Sequence, residues 1–273
     1  MRMGTTTYSW QFAQEKMRSV EHVMDKAFEF GLDGIEVLHG PVGSEEEYVM
    51  SLKRKALTMG LDIYSLETRQ NFVKPLKEQR QRQVDYTQRC LDIAYKLGAP
   101  AMVINSGRWE TIDFEEFMRR KGVEPPISGY TEESAFAWVV DSMNKCIPTA
   151  EDCGVVMALV NNWGVTSTAE RLLEVVEAVN SDWLRVAMDT GNFLEDAYES
   201  LRKITRATVL VHAKTYFGGG IWYAPVIDYE RVAAILKDAD YRGYVSIVQE
   251  GREDPETAVR KASELLASKM GIR

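Results

Sequence analysis

The sequence predicts an α/β protein, a (β/α)₈ barrel of the TIM type spanning residues 1–273, and three observations lead there. Short, mostly apolar runs alternate with longer amphipathic stretches in eight successive units. Most of the runs are apolar on both faces, as parallel strands covered on both sides are. The length of 273 residues is normal for one barrel of this kind. An open doubly wound sheet is the rival architecture, but no glycine-rich fingerprint follows the first run.

Taken in order, the strand runs are Met3–Tyr8, Gly34–Leu38, Asp62–Leu66, Ala101–Asn105, Val155–Val160, Leu184–Met188, Thr208–His212 and Tyr244–Val248. Among the helices between them, Glu45–Met59 and Pro75–Leu97 are the clearest. Gly60 and Gly98 stand in C-cap position behind them, and Pro75 suits a first helical position, where a missing N–H costs nothing. The segment 109–131, with Pro125, Pro126 and Gly129, is the longest irregular connection. After the fourth strand it would lie on the face where barrels carry their sites. Its length leaves two readings open, a lid or a surface insertion that serves assembly.

Composition narrows the function classes. A formal net charge of -8 and a pI near 5.2 give no general attraction for phosphate backbones, so nucleic acid is not expected as the partner. No apolar h-region opens the chain and no run reaches the roughly 18 residues of a membrane span, so neither a secretory signal nor membrane association is expected. Cys90, Cys146 and Cys153 form no CxxC pair and read as reduced thiols of a cytoplasmic protein.

Barrel sites gather at strand ends, and seven of the eight runs end in polar or aromatic residues. These are Glu36 to His39 after strand two, Glu67, Thr68, Arg69 and Asn71 after strand three, and Asn105 to Trp109 after strand four. Asn161 to Gly164 follow strand five, Asp189 to Phe193 strand six, His212 to Tyr216 strand seven, and Gln249 to Gly251 strand eight. That density predicts a polar small-molecule pocket. Glu36, Asn105, Arg108, Trp109, Asn162 and Trp222 are expected to bind the ligand. His212, Lys214, Asp189 and Glu250 are the acid–base candidates. Gly218, Gly219 and Gly220 suggest a mobile loop whose amides, with Lys214 or Arg252, could hold an anion, with Trp222 or Tyr223 packing on a face of the ligand.

Six segments, LDGIEVLH, LGAPAMVINSGRW, GVVMALVNNWG, VAMDTGNF, VHAKTY and GYVSIVQEG, fall in order along nearly the whole chain. Together they resemble the strand motifs of the sugar phosphate isomerase/epimerase (xylose isomerase-like) family. The resemblance implies one divalent metal, Mg²⁺, Mn²⁺ or Zn²⁺, held by a glutamate on strand five, an aspartate on strand six, a histidine on strand seven and a glutamate on strand eight. Here the aspartate is Asp189 and the histidine His212, but the glutamate positions fall on Val160 and Val248. Both lost glutamates would also have moved protons, so a weak or missing metal site is expected. Glu250, two residues past Val248 and on the same side of the strand, leaves a three-ligand set of Asp189, His212 and Glu250 open. A metal-free Asp189–His212 pair is the alternative, as is an ion pair of Lys214 with Asp189 or Glu250.

The function read from these residues is isomerase- or epimerase-like, or lyase-like, proton transfer beside the carbonyl of a carbohydrate. The alternative is a non-catalytic sugar-binding barrel or the inactive subunit of a sugar-processing complex, for which the resemblance points to C-glycoside-cleaving-like proteins. Assembly as a homo-oligomer or with a partner subunit is left open under either reading. A nuclease of abasic DNA shares the barrel, but its zinc cluster needs more histidines than the three in this chain.

Overall fold

The computed structural model describes residues 1–11 and 18–272. Eight parallel strands close on themselves in sequence order. They are β1 (Arg2–Thr6), β2 (Gly34–Leu38), β3 (Asp62–Glu67), β4 (Ala101–Ile104), β5 (Val156–Val160), β6 (Leu184–Asp189), β7 (Thr208–Thr215) and β8 (Tyr244–Gln249). The α-helices are α1 (Val20–Glu29), α2 (His39–Val42), α3 (Glu46–Met59), α4 (Lys77–Leu97), α5 (Phe114–Arg119), α6 (Glu132–Cys153), α7 (Ala169–Val179), α8 (Ala197–Ile204), α9 (Tyr229–Asp238) and α10 (Pro255–Met270). The barrel expected from the alternating runs is therefore the fold.

The strands are continuous apolar runs because both of their faces are covered. Outward residues such as Ile35, Val37, Leu66, Met102 and Met188 join the large core under the helices. Tyr64, Val103, Ala158, Val160, Ala187 and Leu210 form a second, smaller cluster. Tyr64 stacks on Tyr244 at 4.0 Å between ring centres, and its hydroxyl donates to Ser246. Helix ends follow local chemistry: Gly60 (φ 70°) and Gly98 (φ 80°) close α3 and α4 in the left-handed region, which glycine enters without steric cost. Among the described residues no helix is long and apolar enough to cross a membrane.

Four differences from the sequence expectation are larger than a single residue. β1 stops at Thr6, whose side chain accepts the Tyr8 N–H and starts a single tight turn over Thr7–Trp10. β7 runs on to Thr215, its ladder with β8 pairing Lys214 with Val248 and Thr215 with Gln249. Pro75 lies before α4, whose N-cap is Leu76. Finally, the connection 109–131 is not irregular throughout. Asp113 caps α5 by accepting the Glu116 N–H. Glu124, its side chain only 3% exposed, accepts the N–H groups of Glu110 and Thr111 and pairs with Arg108.

Candidate functional site

A cavity of about 480 Å³ opens at the C-terminal ends of the strands, within the range of small-molecule sites. Asp189 ends β6 and stands in register with His212 of β7. The Asp189 backbone is fixed on both sides by Asn161, which accepts its N–H and donates to its carbonyl. One carboxylate oxygen, Oδ1, accepts the Gly191 N–H. The other, Oδ2, faces the cluster, 3.9 Å from His212 Nδ1 and 3.7 Å from Lys214 Nζ. Alternation along β7 places His212 and Lys214 on the same side, and the Glu250 N–H extends the β7–β8 ladder by bonding the Thr215 carbonyl. Glu250 Oε1 thereby comes within 2.6 Å of Lys214 Nζ and 2.8 Å of the Tyr8 hydroxyl. Gly191 is required by packing, since a Cβ there would meet the Tyr216 hydroxyl at 2.4 Å and the Lys214 side chain at 2.9 Å.

The structure thus brings His212, Lys214, Asp189 and Glu250 together on the cavity wall. Asn105, Asn162, Arg108 and Trp222 line it as well. The two amides support each other: Asn162 donates to Asn105, which donates to the Thr68 carbonyl. Arg108 is tied to Glu124 at 2.8 Å and lies over Phe117, so its charge is already matched. Two expected ligand-binding residues do not reach the cavity. Glu36 is fully buried beneath it, its oxygens 3.0 and 3.1 Å from His212 Nε2. Trp109 turns into the core, donating from its indole N–H to Glu132 and packing edge-on against Trp138.

In the glycine loop one of the three amides of the expected anion cradle is bonded within the protein. The Gly219 N–H donates to the Tyr216 carbonyl, the Ile221 N–H donates to the Glu250 carbonyl, and Gly220 bridges to Gly251. The bridge is carried by the N–H groups of Ile221 and Arg252, so among the three glycine amides that of Gly219 is the one bonded inside the protein. Tyr223 is held by its hydroxyl bond to Asn192, and Trp222 meets Phe114 edge-on at 5.1 Å. Phe114, Phe117, Trp163 and Trp222 make one side of the cavity aromatic.

Tyr8, Glu67 and Phe114 were not assigned roles from sequence, yet all three line the cavity. Tyr8 arrives through the turn that ends β1, and Glu67 is the last residue of β3. Burial and the neighbouring charge of Glu36 push the Glu67 carboxyl up to about 7, against the pull of His212, Arg69 and Lys214. Burial alone would strip the proton from His212, but Glu36, Asp189 and Glu67 outweigh it and hold the imidazole up at about 9. Lys214 is likewise held well above the usual lysine range by Asp189 and Glu250 despite its burial. Burial raises Asp189 too, while Lys214 and His212 oppose the rise. At neutral pH the wall therefore presents two fixed cations beside a carboxyl balanced between its two protonation states.

These residues do not fit a resident divalent ion. Val160 and Val248 line the cavity and supply no donor atom. His212 is engaged by Glu36 on one nitrogen and faces Asp189 with the other. A lysine ammonium stands between the two carboxylates of the three-ligand set.

D-psicose 3-epimerase from Clostridium cellulolyticum H10 superposes with a TM-score of 0.81 at 16% identity, covering 99% of both chains. The 3-keto-D-glucoside 4-epimerase of E. coli gives 0.78 at 18% identity, covering 98% of this chain and 99% of that one. L-ribulose 3-epimerase gives 0.77 at 16% identity, covering 99% and 94%. At such identities the likeness is one of fold. No curated protein matches the chain. The sequence model of the xylose isomerase-like TIM barrel matches residues 24–269, and the chain belongs to that family.

Proposed function

We propose that this barrel binds a carbohydrate bearing a carbonyl group and moves a proton on the carbon beside it, as an isomerase, epimerase or β-eliminating lyase does. The observation that carries the reading is the placing of Glu67, a carboxyl balanced near neutrality, in one cavity with the fixed cations His212 and Lys214. A general base works best when its pKa lies near the operating pH. Cations aimed at the developing oxyanion stabilise the charge that leaves the carbon. Glu67 takes the proton and returns it, Lys214 donates to the oxygen while the charge of His212 stabilises it from behind, and Asn105 and Asn162 orient the hydroxyl groups. Asp189 and Glu250 set the position and charge of Lys214. The names of the structural relatives, D-psicose 3-epimerase, 3-keto-D-glucoside 4-epimerase and L-ribulose 3-epimerase, are the reason to try ketoses and keto-glycosides first.

The test is solvent exchange. Candidate sugars incubated with the protein in D₂O are expected to take up deuterium on the carbon beside the carbonyl, as seen by NMR. Glu67→Gln is expected to slow uptake by roughly 10²- to 10⁴-fold, the usual worth of a positioned general base. The two valines favour a second reading, a barrel that binds sugar without turning it over. Saturable sugar binding in calorimetry with no deuterium uptake from any ligand that binds would establish that reading instead.

A further inference from the structure

Asp189 and Glu250 reach the cavity from the strands on either side of β7. A pair of buried carboxylates calls for a cation, because two uncompensated charges out of water are costly. Lys214 Nζ answers that need at 2.6 Å from Glu250 Oε1 and 3.7 Å from Asp189 Oδ2. Its side chain is only 7% exposed, and the site is shaped around it. Val248 is its cross-strand neighbour in register, so the position beside the lysine stem carries hydrocarbon where a carboxylate would add a third negative charge. Gly191 leaves the space that the stem fills. The Thr190 hydroxyl accepts the Lys214 N–H, and the Tyr229 hydroxyl donates to the Lys214 carbonyl. Both ends of the residue are therefore fixed.

From this geometry we infer that the Lys214 ammonium is the resident cation of the cavity, standing between Asp189 and Glu250 in place of a divalent metal ion. Two consequences follow. A divalent ion entering between these carboxylates meets a positive charge within a few ångströms in a poorly screened site, so the protein excludes it. An ammonium has three donors. One is engaged by Glu250 and a second faces Asp189, which leaves one for an oxygen of the bound ligand. Lys214 thus takes over the polarising work with a single charge and a hydrogen bond. This last consequence rests on the proton-transfer reading above, whereas the exclusion of metal does not.

The test is a Mn²⁺ titration at neutral pH of the wild type, Lys214→Met, Val160→Glu/Val248→Glu, and the triple variant combining all three changes. Calorimetry and the melting temperature are both read, because an ion that binds the native state raises its Tm even in a destabilised variant. The wild type is expected to show no saturable binding and no metal-dependent rise in Tm. Lys214→Met is expected to gain both, and the triple variant to bind roughly ten- to a hundredfold more tightly than the double variant that keeps Lys214. Lys214→Arg, which preserves the charge, is expected to behave as the wild type. One tightly bound Mn²⁺ per wild-type chain would overturn the inference. So would equal affinities for the double and triple variants, or a Lys214→Met protein that binds no better than the wild type. None of these readouts uses a sugar, so the inference and the proposed reaction fail separately.

Discussion

Glu36 was expected at the ligand, and it acts one layer below. Its carboxylate meets His212 Nε2 where water does not reach, and so fixes the ring and its charge together. The Glu36→Gln variant keeps the shape and removes the charge. It is expected to bring the His212 pKa down from about 9 toward or below the ordinary histidine value, because burial then acts with less opposition. With only three histidines in the chain, the imidazole C–H resonances can be followed against pH directly. An unchanged His212 titration would show that Asp189 and Glu67 hold the charge without Glu36. The placements of Glu36 and Glu67 were hidden for the same reason. Strand alternation tells which residues share a face, but not whether a given side chain ends in the cavity or beneath it. Depth depends on barrel closure, which a linear pattern does not contain. Trp109 shows the converse: an aromatic residue at a strand end looked like a ligand platform and turned into core.

At the scale of elements, the C-terminal ends of β6, β7 and β8 carry most of the polar cluster. That part was legible because Asp189, His212, Lys214 and Glu250 lie within two or three residues of strand ends whose apolar runs are unambiguous. The contribution of β1 was not, since it comes from a tight turn of four residues. The six-residue α5 likewise escaped notice, being too short to show a helical period. Gly191→Ala belongs to this scale. The added methyl group would press on Tyr216 and Lys214, so the variant is expected to lose roughly 1–3 kcal/mol, the usual cost of overpacking, measured by urea unfolding. An unchanged midpoint would mean that the Lys214 stem moves aside freely. The glycine loop and the segment around α5 meet through Trp222 and Phe114. Binding of sugar is therefore expected to slow amide exchange in 216–223 and 109–131 together. Slowing of neither segment would show that they do not close over the ligand.

For the whole molecule, buried charge links stability to pH. Glu67, Asp189 and His212 all have raised pKa values in the fold, so the native state holds protons that the unfolded chain releases. Their contribution is fully present below the unfolded values, about 4 for the carboxyls and about 6.5 for the imidazole. It is lost as pH rises through 7 for Glu67 and 9 for His212. Urea midpoints are accordingly expected to fall between pH 6 and pH 9, by less in Glu67→Gln than in the wild type. A midpoint that rises over this range would contradict the charge assignment.

On the proposed reaction, catalysis and stability depend on the same carboxyl, and the most direct test of the account is the pH profile of proton exchange. With any sugar that takes up deuterium, the account predicts a rate that climbs as Glu67 ionises, with an apparent pKa near 7, and predicts that the limb disappears together with the rate in Glu67→Gln. A profile that stays flat from pH 5 to pH 8, or a Glu67→Gln protein that exchanges protons as fast as the wild type, would contradict it.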